Sequence, residues 1–219
     1  MRELCRLEGV EWVRVMYTYP THISDAFLDV LAEEPKAVKY LDMPLQHASQ
    51  NVLRLMKRGG SRASLERLIG RVRERVPGLA VRTTFITGFP GETEEDFEEL
   101  RAFVRGVEFD RVGVFTYSDE EGTPAFELPD KVDPKVASRR RARLMKEQSR
   151  ISLRKNRARV GETVRVLFEG ASDETDLLWQ GRTGAQAPDI DGCVLINDAP
   201  EGRNPEPGDF VNVRITEAQ

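Results

Sequence analysis

The sequence predicts an α/β protein in which part of a parallel βα barrel is followed by a small all-β barrel. Three observations carry this. Over the first 118 residues short apolar runs alternate with amphipathic helical stretches, the pattern of βα units around a parallel sheet. Residues 134–158 then read as one long basic helix opened by Pro134, a good first-turn residue. After Gly161 come short strand-like runs separated by Gly and Pro, the texture of a small β-barrel. The domains expected are 1–133, a linker helix at 134–158, and 159–219.

The elements follow in order. Residues 12–17 (WVRVMY) read as a strand, and Ser24 offers an N-cap for a helix that Pro35 closes. A second strand at 38–43 leads into a helix over 49–58, stopped by Gly59–Gly60. The helix at 62–76 keeps Leu65, Leu68, Ile69, Val72 and Val76 on one face. A third strand at 79–86 passes through GFPGET into a helix at 93–106, and a fourth strand covers 111–117. Strands of the second domain are expected in TVRVLFEG, DLLWQGRT, GCVLIND and DFVNVRIT.

Of 219 residues, 39% are hydrophobic and 32% charged, which excludes a disordered chain. No apolar run approaches the roughly 18 residues needed to cross a bilayer. The opening MRELCRLEGVEW lacks a secretory core, so a cytoplasmic location without membrane contact is expected. Cys5 and Cys193 are the only cysteines, too few and too far apart for a thiolate metal site, and they read as ordinary thiols. No metal ligands are therefore assigned. Charge is uneven: residues 134–158 hold ten Lys/Arg against Glu147, whereas 159–219 hold five Arg against twelve acids, a net of −7. An acidic barrel repels a phosphate backbone and attracts a basic protein.

Several long strings are specific. YLDMPLQHASQNVLRLMKRG (40–59), RTTFITGFPGET (82–93) and FTYSDEEGTPA (115–125) resemble the later half of the radical-SAM domain of methylthiotransferases. LPDKVDP and the helix after it resemble the connection to a TRAM domain, and GRTGAQAPDIDGCVLI (181–196) resembles the RimO branch. The resemblance implies a TIM-like barrel, an OB-like TRAM barrel, and S-adenosylmethionine as cofactor. It implies transfer of a methylthio group to the β-carbon of an aspartate in a small-subunit ribosomal protein, S-twelve. An unactivated carbon of that kind is beyond acid–base chemistry, which is why a cofactor carries the step. The family also holds 4Fe-4S clusters on a CxxxCxxC loop and an N-terminal domain. Neither cysteine set is in this sequence, so the chain is expected to open inside the radical-SAM domain and to be inactive alone. Two other functions stay open: a tRNA methylthiotransferase of the sister family, and a non-catalytic, TRAM-bearing binding fragment.

The same resemblance marks candidate residues. Gln46, His47 and Ser49 follow the second strand, where loops of a βα barrel carry chemistry. They form either a polar wall beside the cofactor's methionine end or, for Ser49, a simple N-cap. Arg82 sits in an otherwise apolar strand and needs a partner for its fork of donors: the carboxylate or ribose of S-adenosylmethionine, or a helix acid. Ile86 is expected to pack on adenine, and Gly88, with Pro90 and Gly91, to let backbone approach the cofactor. Phe115 and Tyr117 share a strand face, either against adenine or in the core. Asp189 and Asp191, flanking Ile190, offer a recognition edge for the ribosomal protein or ordinary surface charge. The basic helix reads either as a solvated charged face or as a grip on ribosomal RNA phosphates, and the resemblance implies that it is at least the packing link between the domains.

Overall fold

Four parallel strands lie in sequence order in the first sheet: β1 (Val13–Val15), β2 (Ala37–Asp42), β3 (Ala80–Thr87) and β4 (Arg111–Thr116). Each parallel step needs a crossover, and helices supply it. The fold is that of a computed structural model, which describes residues 1–173, 175, 177–198 and 205–218. A short helix, α1 (Arg2–Arg6), precedes β1, and a 3-10 turn at Pro20–His22 leads to α2 (Asp25–Glu33). Then come α3 (Gln50–Leu55), α4 (Arg62–Arg75), α5 (Glu94–Val107) and the long α6 (Pro134–Ala158).

Local chemistry sets the helix starts. The Ser24 hydroxyl accepts from Phe27 N to cap α2, and Ser61 and Thr93 open α4 and α5 with reciprocal capping boxes. Three acids in the first turn of α5 suit the positive end of its dipole. The helix expected over 49–58 is shorter. Lys57 turns left-handed at φ 53°, and Arg58 N closes back on Leu53 O, ending α3 early.

Alternation along the strands divides the sheet into two faces. Ala37 and Leu41 of β2 and Val81 and Phe85 of β3 pack with Leu28, Leu31, Ile69, Phe97, Leu100 and Phe103 from the helices. Leu144 and Ile151 of α6 join the same core, which sets that helix against the sheet. The other face of β2 and β3 carries Val38, Tyr40 and Ala80.

The second domain is a four-stranded antiparallel sheet among the described residues. Its order is β7 (Val194–Ile196), β6 (Trp179–Arg182), β5 (Thr163–Ala171), β8 (Phe210–Arg214). Val166, Phe168 and Ile196 form its small core. Gly181 is required in β6, because a Cβ there would lie 2.4 Å from Leu167 O of β5.

The two sheets meet through side chains. Ala187 packs with Val38, Tyr40 and Ala80, and Gly184 faces Val38. The Trp12 ring meets Phe210 edge-on at 4.8 Å, while the Arg165 guanidinium lies 3.9 Å above Phe210. Arg14 lies over the Tyr40 ring at 4.3 Å and donates to Gln186 O at 2.8 Å.

Candidate functional site

The face of the first sheet opposite the helices is the candidate site, and the second domain covers only part of it. Its residues are Tyr40 and Asp42 of β2, Arg82, Thr84 and Ile86 of β3, and Gly113 and Phe115 of β4. Register confirms the grouping: Asp42 is opposite Arg82, and Ile86 is opposite Phe115. A Cβ on Gly113 would lie 3.6 Å from both the Phe115 ring and Thr84 Oγ1, and 3.7 Å from Arg82 Nη2.

The two ends of this face differ. At the end where β2 and β3 begin, Tyr40 and Ala80 are covered by the turn carrying Ala187. Toward the strands' C-terminal ends the surface opens, and Phe115 is 60% exposed. Gln46 flanks β3 on the side away from Phe115, in a left-handed conformation, φ 70°. Gln46 N donates to Thr84 O and Ile86 N donates to Gln46 O, both at 2.8 Å, so its backbone extends the sheet while its side chain bonds no described group.

Arg82 has a partner, and it is a strand acid. Its Nη1 donates to Asp42 Oδ1 at 2.7 Å, and its Nε lies 3.8 Å from Asp191 Oδ1. Of the two partners expected, the helix acid is replaced by a strand acid: parallel register sets Asp42 directly alongside, and among the described residues Arg82 pairs with no helix acid. Asp42 is fully buried and also accepts from Tyr17 N at 3.1 Å. Burial is the largest single influence and works against the Arg82 charge, but the bond to Asp42 together with the fields of Asp42, Tyr40 and Asp191 raises the pKa on balance. Nη2 makes no hydrogen bond among the described residues.

Asp191 is turned inward rather than forming an outer edge. Its Oδ2 accepts from the Tyr40 hydroxyl at 2.7 Å and from Ala187 N at 2.8 Å, and its side chain is only 2% exposed. Burial, then the bond to Asp191, holds the Tyr40 phenol above its ordinary range. Asp189, in a left-handed turn conformation at φ 64°, and Ile190 are exposed. Of the pair of acids, only Asp189 faces outward.

Ser49 occupies the N-cap position of α3 without capping it. Its hydroxyl is buried and donates to Asp96 of α5, with Asn51 Nδ2 donating to the same carboxylate at 2.9 Å. His47 is also buried, and its Nδ1 accepts from Ser49 N at 3.0 Å. That places Nε2 3.5 Å from Glu92 Oε1, while Glu92 Oε2 lies 3.3 Å from Arg140 Nη1 of α6. His47, Glu92 and Arg140 are thus a buried polar row tying the GFPGE turn to α6. Sequence inspection missed Glu92 and Asp96 because Glu92 reads as the polar end of the GFPGE turn and Asp96 as a first-turn helix acid.

Gly88 serves packing. A Cβ there would fall 2.3 Å from Ala137 Cβ of α6, and φ is +81°. The close approach required at this glycine is that of a helix; no cofactor is needed to explain it. Tyr117 lies beyond β4, where its ring meets Phe89 edge-on at 5.1 Å. Partial burial and the bond to Asp119 at 2.9 Å push its pKa up to about 12.

The exposed Phe115 ring, its partner Ile86 and the unpaired amide of Gln46 fit the adenosyl half of S-adenosylmethionine: an apolar surface flanked by a donor and acceptor. An iron–sulfur cluster does not fit. Cys5 lies in the first core and Cys193 on the surface of the second domain, and no group of three His, Cys, Asp or Glu that could hold a metal occurs among the described residues. No helix among those residues is long and apolar enough to cross a membrane.

Comparison with known proteins gives the lineage. The Radical SAM superfamily profile matches residues 1–104, and the TRAM domain profile matches 160–219. "Ribosomal protein uS12 methylthiotransferase RimO" of Trichlorobacter lovleyi is 49% identical over 218 residues, which are 100% of this chain and 48% of that protein. The protein of the same name from Solibacter usitatus is 50% identical over 220 residues, 98% of this chain and 47% of its own length. The chain therefore spans about half the length of these relatives. Among solved structures, coproporphyrinogen III oxidase (HemN) from Escherichia coli, a radical SAM enzyme, superposes with a TM-score of 0.52. It covers 79% of this chain and 46% of the oxidase; at 16% identity it speaks for the fold alone. With both profiles in order and near 50% identity along its whole length, the chain carries part of a radical SAM domain and a TRAM domain in the arrangement of the RimO proteins, which it matches over about half of their length.

Proposed function

We propose that this chain forms the later part of the S-adenosylmethionine face, together with the TRAM domain, of an enzyme that adds a methylthio group to an aspartate of ribosomal protein uS12. The observation that carries the proposal is its near 50% identity, over 98–100% of the chain, to proteins named for that reaction. S-adenosylmethionine, once bound and reduced, would supply the hydrogen-abstracting chemistry that an unactivated carbon demands. The chain's own residues do the rest. Ile86 and Phe115 give adenine an apolar wall, and the Gln46 side chain offers both a donor and an acceptor at its edge. Arg82, held by Asp42, presents Nη2 toward the same face, a fixed charge for the cofactor's carboxylate or ribose. Ser49 acts one layer back, setting the loop after β2 against α5.

Iron–sulfur chemistry is left to residues outside this sequence. The partner is a basic ribosomal protein, drawn by the net −7 of residues 159–219, with Asp189 as the outward acid. We place the reaction in the cytoplasm, where ribosomes are at hand. The sister-family reading, on tRNA, has the acidic second domain against it.

The test joins this chain to the amino-terminal half of the Trichlorobacter lovleyi relative. The purified chimaera, with its clusters reconstituted, is given uS12 or tRNA. A methylthio mass increment on one uS12 aspartate is the expected result. Modification of tRNA in its place assigns the sister activity, and modification of neither assigns a binding fragment.

A further inference from the structure

Helix α6 holds ten Lys/Arg against one acid, and the structure divides those charges into two sets. Half are spent inside the molecule. Arg140 reaches Glu92 and Glu94, Arg141 donates to Val114 O, and Arg143 pairs with Glu94 and Glu98. Arg154 pairs with Glu108, and Lys155 with Asp110 at 2.6 Å. The other five, Lys135, Arg139, Lys146, Arg150 and Arg157, are exposed, and their side chains bond no described group.

Their spacing puts them on one line. Steps of four, seven, four and seven residues, at about 100° per residue, keep all five within an arc of roughly 60°. At about 1.5 Å per residue the line runs about 33 Å along a rigid helix, with charges alternately about 6 and 10 Å apart. Beside them lie Ser138, Ala142 and Ser149, all small and exposed, and within the arc, between Arg150 and Arg157, the half-buried Leu153. The helix's one acid, Glu147, lies to the side of the line, about 60° round the helix from Arg150, and is taken by Arg101.

We infer that this line of Lys135, Arg139, Lys146, Arg150 and Arg157 is a docking track for a nucleic-acid phosphodiester backbone, the RNA of the ribosome being its natural source. Charge complementarity selects the occupant. A protein partner would need an apolar or aromatic centre to anchor it, and a membrane surface would need an apolar flank; the line offers one half-buried side chain, Leu153, among five exposed cations. A regular polyanion needs only evenly placed cations and gains affinity by releasing counterions. Set against a second domain of net −7, the track gives the molecule two electrostatic ends: one for RNA and one for a basic protein. The inference concerns a surface and stands or falls apart from the methylthio chemistry proposed above.

The test uses the whole chain. One variant carries Lys135→Gln, Arg139→Gln, Lys146→Gln, Arg150→Gln and Arg157→Gln. A control loses the same five charges from paired positions elsewhere: Arg2→Gln, Arg6→Gln, Arg62→Gln, Arg71→Gln and Arg75→Gln. Binding to a ribosomal RNA hairpin, a DNA duplex of equal length, phosphatidylserine vesicles and polyglutamate is measured over a salt series. The parent and the control should bind the RNA with the same slope of log affinity against log salt. The track variant should weaken binding by about a hundredfold or more and lower the slope by about 3 to 4. Exchanging each Lys and Arg along the track for the other should preserve binding, which guards against a folding artefact. Comparable binding to DNA fits the phosphodiester track but points to a source other than the ribosome. Equal losses in track variant and control, RNA binding that survives in the track variant, or tighter binding to vesicles or polyglutamate would overturn the inference.

Discussion

The Tyr40 hydroxyl donates to Asp191 Oδ2 across 2.7 Å, linking a strand of the first sheet to a turn of the second. Because the same carboxylate group accepts from Ala187 N and lies near Arg82, the turn is fixed in conformation and in position at once. The APDIDG run (187–192) is therefore a tenon between domains, with Asp189 and Ile190 left outside. Tyr40→Phe should cost about 1–2 kcal/mol, the value of a buried hydrogen bond whose acceptor stays partly satisfied. Asp191→Ala should cost more, about 2–4 kcal/mol, since it strands the Tyr40 hydroxyl and Ala187 N together. Denaturant unfolding of both variants checks the order; an Asp191→Ala protein as stable as the parent would refute the tenon.

Arg82 and Asp42 should behave as one buried pair. Arg82→Met leaves a fully buried carboxylate without its cation and should cost about 3–5 kcal/mol. The double variant Arg82→Met/Asp42→Leu should recover much of that loss, because replacing both ions removes the desolvation cost. Additive losses in the thermodynamic cycle would show that the two residues act separately.

Gly88 and Ala137 make a second testable contact. Gly88→Ala strains a left-handed residue and drives its methyl into α6, so a loss of about 2–4 kcal/mol is expected. Ala137→Gly relieves the clash but not the backbone strain. The pair should therefore be about 1–2 kcal/mol more stable than the sum of the single changes. Strict additivity in thermal melts would count against a packing role for Gly88.

Asp96 sets an acid limb. Burial raises its pKa, but bonds from Ser49, Thr93 and Asn51 more than offset this, and the net shift is downward. A carboxyl with a depressed folded pKa contributes stability that is complete above its unfolded value, about 3.9, and fades as pH falls through the folded one. Asp96→Asn should flatten the stability–pH curve below about pH 4 and leave its shape above pH 5 unchanged. A difference in slope confined to neutral pH would contradict the assignment.

How much of this was legible in the sequence depends on the reach of each signal. Local chemistry was: Ser24 caps α2, Pro134 opens α6, and the apolar spacing of α4 and α5 marks their buried faces. The parallel sheet followed from the alternation of elements. Pairings across elements were not legible. Asp42 reads as the polar end of a strand until register brings it beside Arg82. Ser49 looks like an ordinary cap, because its true acceptor, Asp96, is 47 residues away. The acids of APDIDG look alike on paper, yet a left-handed turn at Asp189 sends one outward while Asp191 turns in. Half the charge of α6 likewise reads as surface until Glu94, Glu98, Glu108 and Asp110 are found beneath it.

We place S-adenosylmethionine at the open end of the first sheet, against Gln46, Ile86 and Phe115. The most direct measurement is an NMR titration of this chain with the cofactor, following the Gln46 amide, the Ile86 methyls and the Phe115 ring. The account predicts saturable shifts at all three that Phe115→Ala abolishes, with the Tyr40 and Asp191 signals at the covered end unmoved. Shifts centred on Tyr40 and Asp191, or saturable binding that leaves the Ile86 and Phe115 signals in place, would contradict it.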